Sequence, residues 1–129
     1  MKVSNTCPIT LKSIFFKLEK SSNIFPLLVS SVSKIYLSFI SLELSLKELT
    51  KLKSSFNIAM LHYPPFNRDG KLNEFATLMK EYNINCCIYG HLHGQGHKYI
   101  REGFIDGVEF HCVSGDYLSF RPKLIFKEV

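Results

Sequence analysis

The first 69 residues of this 129-residue chain contain no glycine, and all seven glycines lie between Gly70 and Gly115. Aspartate follows the same divide, with none before Asp69, while twelve of the fourteen serines fall in residues 1–55. Tight turns draw on Gly, Asn, Asp and Pro for backbone angles that other residues avoid. The first part therefore has few places to reverse direction, and the second has many. Residues 1–33, rich in Ser, Phe, Ile and Lys, show neither a 2-residue nor a 3.6-residue period. They form an atypical N-terminal segment, read either as loosely packed helix or as the altered start of a truncated or frame-shifted product. Residues 34–129 form the folded domain.

From about Ser33 to Lys53 the pattern is helical. Leu42, Leu46 and Leu49 repeat at spacings of four and three, with Leu52 and Lys53 continuing the stripe. Glu43 and Lys47 stand in the favourable i,i+4 order. Phe56 to Leu61 reads as a buried strand that delivers His62 and stops at Tyr63-Pro64-Pro65, because neither proline can donate to a ladder. Asn67 to Gly70 is a turn, and Leu72, Phe75, Leu78 and Met79 mark an amphipathic helix ending near Asn83. Cys86-Cys87-Ile88-Tyr89 is a short strand ending at Gly90. His97–Ile105 and Val108–Val113 read as a hairpin turned by Asp106-Gly107, and Lys123 to Phe126 as a last strand. That order predicts an α/β layered domain with a mixed sheet.

The net charge of +5 lies wholly in residues 1–55, where eight Lys face three Glu; residues 56–129 carry eight basic and eight acidic side chains. The lysine-rich part has no Arg and no interleaved aromatic pattern, so it reads as a solvated face, not a nucleic-acid surface. The uncharged stretch Ser21–Ser33 is broken by Pro26 and serines, well short of the about 20 apolar residues a membrane span needs. Lys12, Lys17, Glu19 and Lys20 interrupt any signal-peptide core. Four cysteines without a C-x-x-C pair predict free thiols and a reducing, cytoplasmic setting.

Three of the five histidines follow predicted strands: His62 after the first, His91 and His93 after the second. Parallel strands joined by a helix bring their C-terminal ends together, so His62 should face the His91-Leu92-His93 loop. In extended backbone His91 and His93 point the same way, with Leu92 turned to the core. Gly90 and Gly94 flank them and permit a tight bend. Converging imidazoles are metal ligands suited to zinc, iron and their neighbours. The remaining polar residues have blander readings. His97 is a surface residue at a hairpin start and His111 a hairpin-face residue. Arg68 is solvated, and Tyr63 packs under His62 or faces the site.

Leu61-His62-Tyr63-Pro64-Pro65 and Tyr89-Gly90-His91-Leu92-His93-Gly94 resemble the last two motifs of the calcineurin-like metallophosphoesterases, most closely the bacterial predicted phosphohydrolases. The helix at Leu42–Lys53 and the ending Ile105–Phe110 and Val113–Leu118 extend the likeness over residues 40–129. The resemblance implies a mixed-sheet αββα sandwich with a dinuclear site at the strand ends. It implies His62 and His91 as ligands of the second metal, His93 as ligand of the first, and a phosphoester substrate. In such sites two metals about 3.5–4 Å apart clamp a phosphoryl oxygen and activate a bridging water.

The family's earlier motifs, D-x-H, G-D-x-x-D and G-N-H-D/E, are absent. Asp69, Asp106 and Asp116 match no ligand position. Without bridging carboxylates, two divalent cations repel each other uncompensated, so the histidines are expected to hold at most one Mn, Fe or Zn ion. The fold expected is thus a partial sandwich lacking the family's N-terminal half, inactive or weakly active alone. Two alternatives stand beside it. One is a non-enzymatic interaction module that self-associates or binds a complementary N-terminal half; the other is a mononuclear His₃ metal-binding protein.

Overall fold

A computed structural model describes residues 31–127; the segment assigned above to residues 1–33 lies almost wholly outside the described residues. The chain runs α1 (Ser31–Leu49), β1 (Ile58–Leu61), α2 (Glu74–Glu81), β2 (Cys86–Tyr89), a 3₁₀ turn (Gly94–Tyr99), β3 (Gly103–Ile105) and β4 (Val108–Cys112). The strands form one open mixed sheet in the order β1-β2-β4-β3. β1 and β2 run parallel with Ile58 opposite Cys86 and Leu61 opposite Tyr89. β2 and β4 are also parallel, with Tyr89 opposite Cys112. β3 returns antiparallel on β4 through the turn at Asp106 (φ 51°) and Gly107 (φ 91°).

The predicted α/β class with a mixed sheet is the observed one. Alternation along β4 explains its placement: Val108, Phe110 and Cys112 are buried while Glu109 is exposed. The inward residues of the three longer strands meet Leu46 of α1 and Ala76, Leu78 and Met79 of α2 in a single core. Phe66 packs edge-on against Phe110 and Tyr89, at centroid separations of 4.8 and 5.9 Å. Tyr89 is fully buried, yet its hydroxyl donates to the Arg101 carbonyl (2.5 Å) and accepts from the Arg101 N–H (2.9 Å). A buried hydroxyl left unpaired would cost about 1–3 kcal/mol. The opposite face of the sheet, where Met60, Ile88 and His111 share a register line, stays partly open among the described residues.

α2 forms where its ends are capped. Asn73 accepts from the Phe75 N–H (3.1 Å), Glu74 sits in the first turn, and Asn83 leaves the helix at a φ of 53°. Lys80 ties the helix to Asp106 of the β3–β4 turn (2.6 Å). α1 lays Phe39, Leu42, Leu46 and Leu49 on the core, with Phe39 edge-on to Phe75 at 5.5 Å, and Glu43 pairs with Lys47 at 2.7 Å. None of the described helices is long and apolar enough to cross a membrane.

Three expectations need correction. α1 ends at Leu49, and Leu52 is exposed: the Thr50 and Lys51 amides turn back onto Leu46 and Glu48 before the stripe can continue. His97 does not begin a strand. The Gly94-Gln95-Gly96 sequence has little strand propensity and winds into the 3₁₀ turn, so the hairpin starts only at Gly103. Lys123–Phe126 is not a strand either. Its path is set by side chains: Lys123 pairs with Glu102, and Phe126 stacks on Phe56 at 5.2 Å.

Candidate metal centre

Parallel pairing of β1 with β2 sets their C-terminal ends side by side, and the ladder runs one step further through the Gly90 N–H to the His62 carbonyl (3.3 Å). The two imidazoles that follow therefore meet. His62 Nε2 lies 3.1 Å from His91 Nδ1, with the rings 5.0 Å apart and crossed at 71°. Tyr63 packs edge-on against His62 (4.8 Å) and tilted against His91 (4.7 Å), so it braces both rings. His62, His91 and His93 are all exposed, and the pair opens to solvent. Arg68 is likewise exposed.

The loop between them departs from the extended shape expected of it. His91 has a φ of 72°, and the Leu92 N–H bonds to the Gly90 carbonyl at 2.9 Å. A three-residue turn with a left-handed centre is rare for a residue with a Cβ. Strain of this kind costs about 1–3 kcal/mol and gathers at functional sites. The turn swings His91 toward His62 and drops Leu92 against the core. Of the two flanking glycines, Gly94 has a positive φ of 52°, whereas a Cβ on Gly90 would meet only the His62 carbonyl at 3.9 Å. Burial, then the neighbouring His62 and His93, lowers the pKa of His91 below the ordinary histidine value. That favours the neutral ring, the form that ligates metals.

His93 takes a different partner. Its Nδ1 lies 2.7 Å from Asp116 Oδ1, and His97 Nε2 lies 3.0 Å from Asp116 Oδ2. The same carboxylate accepts from the Gly94 N–H (2.8 Å) and the Tyr117 N–H (3.0 Å). The Gly94 amide, then the two histidines, hold Asp116 well below the usual carboxylate range. His97 is thus half-buried between Asp116 and the Tyr117 ring, 5.5 Å away, and not the free surface residue expected. Sequence reasoning gives Asp116 no place at the site. No local signal marks it, because only the parallel pairing of β4 with β2 brings the C-terminal end of β4 beside the histidine loop. His111 stays on the hairpin, half-buried and 3.4 Å from Glu109. Asp69 and Asp106 serve turns, accepting from the Lys71 N–H and pairing with Lys80.

As the rings lie, no group of three or more His, Cys, Asp or Glu among the described residues is disposed to hold a metal ion. The fit is carried by two nitrogens. Ligand nitrogens about 2.0–2.1 Å from one ion lie about 2.8–3.0 Å apart across an octahedral angle and about 3.3–3.4 Å across a tetrahedral one. The 3.1 Å separation of His62 Nε2 and His91 Nδ1, a hydrogen bond between the two rings, falls between those two spacings. No family model, curated protein or solved structure matches this chain.

Proposed function

We propose that this chain is a divalent-cation-binding α/β domain of the metallophosphoesterase type, with little or no two-metal hydrolase activity of its own. The observation that carries the proposal is the 3.1 Å approach of His62 Nε2 to His91 Nδ1 across neighbouring parallel strand ends. His62 and His91 would hold one Mn, Fe or Zn ion, with His93 as the third imidazole of the motif. A bound ion would supply Lewis acidity toward a phosphoester oxygen and a water acidified for attack. The chain's own part is to favour the neutral form of His91, brace both rings with Tyr63, and leave the pair open to solvent.

What the residues lack sets the limit on activity. Three neutral imidazoles do not offset the repulsion of two close divalent cations, and the D-x-H, G-D-x-x-D and G-N-H-D/E motifs are absent. The test is hydrolysis of an aryl phosphodiester with manganese. The expected rate is at or near background. Turnover abolished by His91→Ala would overturn the claim of inactivity.

A second reading is favoured by the exposed apolar residues Phe104 (76%), Phe120 (85%) and Leu124 (76%), together with the outer edge of β1. In this reading the domain associates with itself or with a complementary N-terminal half that supplies the missing sheet of the sandwich. Size measurement in solution discriminates: a stable monomer would remove it. Buried thiols at Cys86, Cys87 and Cys112 fit a reducing cytoplasm.

A further inference from the structure

Among the described residues, Lys47, Lys51, Lys71, Lys80 and Lys123 each face a carboxylate. Of the exposed cations that face none, Arg68, Lys98 and Arg101 are gathered around one turn. The Arg101 guanidinium lies over Gly70, where a Cβ would stand 3.0 Å from Nε and 3.2 Å from Nη2. Gly70 closes the turn that carries Arg68, through its amide to the Asn67 carbonyl (2.9 Å). On the other side, Arg101 Nη1 donates to the carbonyls of Ile100 (2.9 Å) and Lys98 (3.4 Å). The carboxylates beside this group in sequence are engaged elsewhere. Asp69 accepts from the Lys71 amide and pairs with its ammonium, and Glu102 holds Lys123, the Cys112 amide and the Tyr117 hydroxyl. We propose that Arg101, flanked by Arg68 and Lys98, is a preset binding site for a soluble phosphate-bearing anion.

The guanidinium is placed before any ligand arrives. Buried Tyr89 bonds through its hydroxyl to both the carbonyl and the amide of Arg101, so the core fixes that stretch of backbone. The two bonds from Nη1 orient the plane of the side chain, and glycine at position 70 leaves it room. What remains is the edge carrying Nε and Nη2, which donates to no oxygen among the described residues. Two parallel N–H donors on one planar edge match two oxygens of a phosphate. A donor already ordered lowers the cost of binding, and uncompensated positive charge draws the anion in. The site uses neither His62 nor His91, so it stands apart from the metal reading.

Nitrogen-15 NMR of the full metal-free chain, titrated with inorganic phosphate at constant ionic strength, reads the site directly. The Arg101 Nε–H signal should move and saturate. Arg101→Lys keeps the charge but loses the fork, and should weaken phosphate binding about tenfold or more. Arg121→Ala removes an exposed arginine outside the cluster and should leave binding unchanged. A wild-type Arg101 signal that does not move overturns the proposal, whether or not the variants fold. So does unchanged affinity in Arg101→Lys, or an equal loss in Arg121→Ala, which would mark attraction by net charge alone. Shifts confined to His62 and His91 would also overturn it, by placing the anion at the strand tips.

Discussion

Two regions at the same end of the sheet are built in opposite ways. At the tips of β1 and β2, His62 and His91 face each other with no carboxylate between them, on a backbone strained at His91. On the far side, two carboxylates organise the chain. Asp116 gathers His93, His97 and the loop amides. Glu102 accepts from the Cys112 N–H (2.9 Å) and the Tyr117 hydroxyl (2.9 Å) and pairs with Lys123. The carboxylate side is satisfied by its own donors. The imidazole side is held by a single hydrogen bond between two rings, which a shared cation would replace.

Substitution at the tips should have the largest effect on binding. His62→Ala or His91→Ala is expected to cut zinc affinity by more than about 100-fold, beyond the range seen for supporting residues. Equal losses for the two would mark them as ligands of one ion; loss from only one would break the pairing. Next comes the strained turn. His91→Gly removes the Cβ that a φ of 72° disfavours, and should raise folding stability by about 1 kcal/mol while destroying metal binding. Urea unfolding checks it, and a destabilised His91→Gly would show that the turn holds no strain.

On the carboxylate side the effects are smaller and depend on pH. Glu102 is partly desolvated, but its bonds from Lys123, Cys112 and Tyr117 outweigh that and lower its pKa below the ordinary glutamate value. A carboxyl depressed on folding stabilises the protein above its unfolded pKa, and that contribution fades as pH falls through the folded value. Wild type and Glu102→Gln should therefore differ in melting temperature at neutral pH, and the gap should shrink as pH falls below the ordinary glutamate pKa of about 4.3. A gap that widens in acid would contradict the assignment. The smallest effect is expected at Arg68, exposed in the Asn67–Gly70 turn. Arg68→Ala should change stability by less than about 0.5 kcal/mol and leave metal affinity unmoved.

The contrast between the two regions also marks what could be read from sequence. β2 was legible to the residue because Cys86–Tyr89 is a short apolar run closed by Gly90. The meeting of His62 and His91 followed from parallel strands and needed no more than strand ends. The left-handed turn at His91 was not legible, since neither a histidine nor its neighbours declare that φ. Nor was Asp116, whose ring partners lie 23 and 19 residues away and meet it only through the β2–β4 pairing. Lys123–Phe126 has strand-like residues, but its place is decided by one ion pair and one aromatic contact.

Diffraction from a manganese-soaked crystal, with anomalous differences at the metal edge, tests most directly whether these two rings share an ion. The account predicts one peak per chain, bonded to both His62 Nε2 and His91 Nδ1. Absence of a peak at saturating manganese, or a peak that touches neither ring, would contradict it.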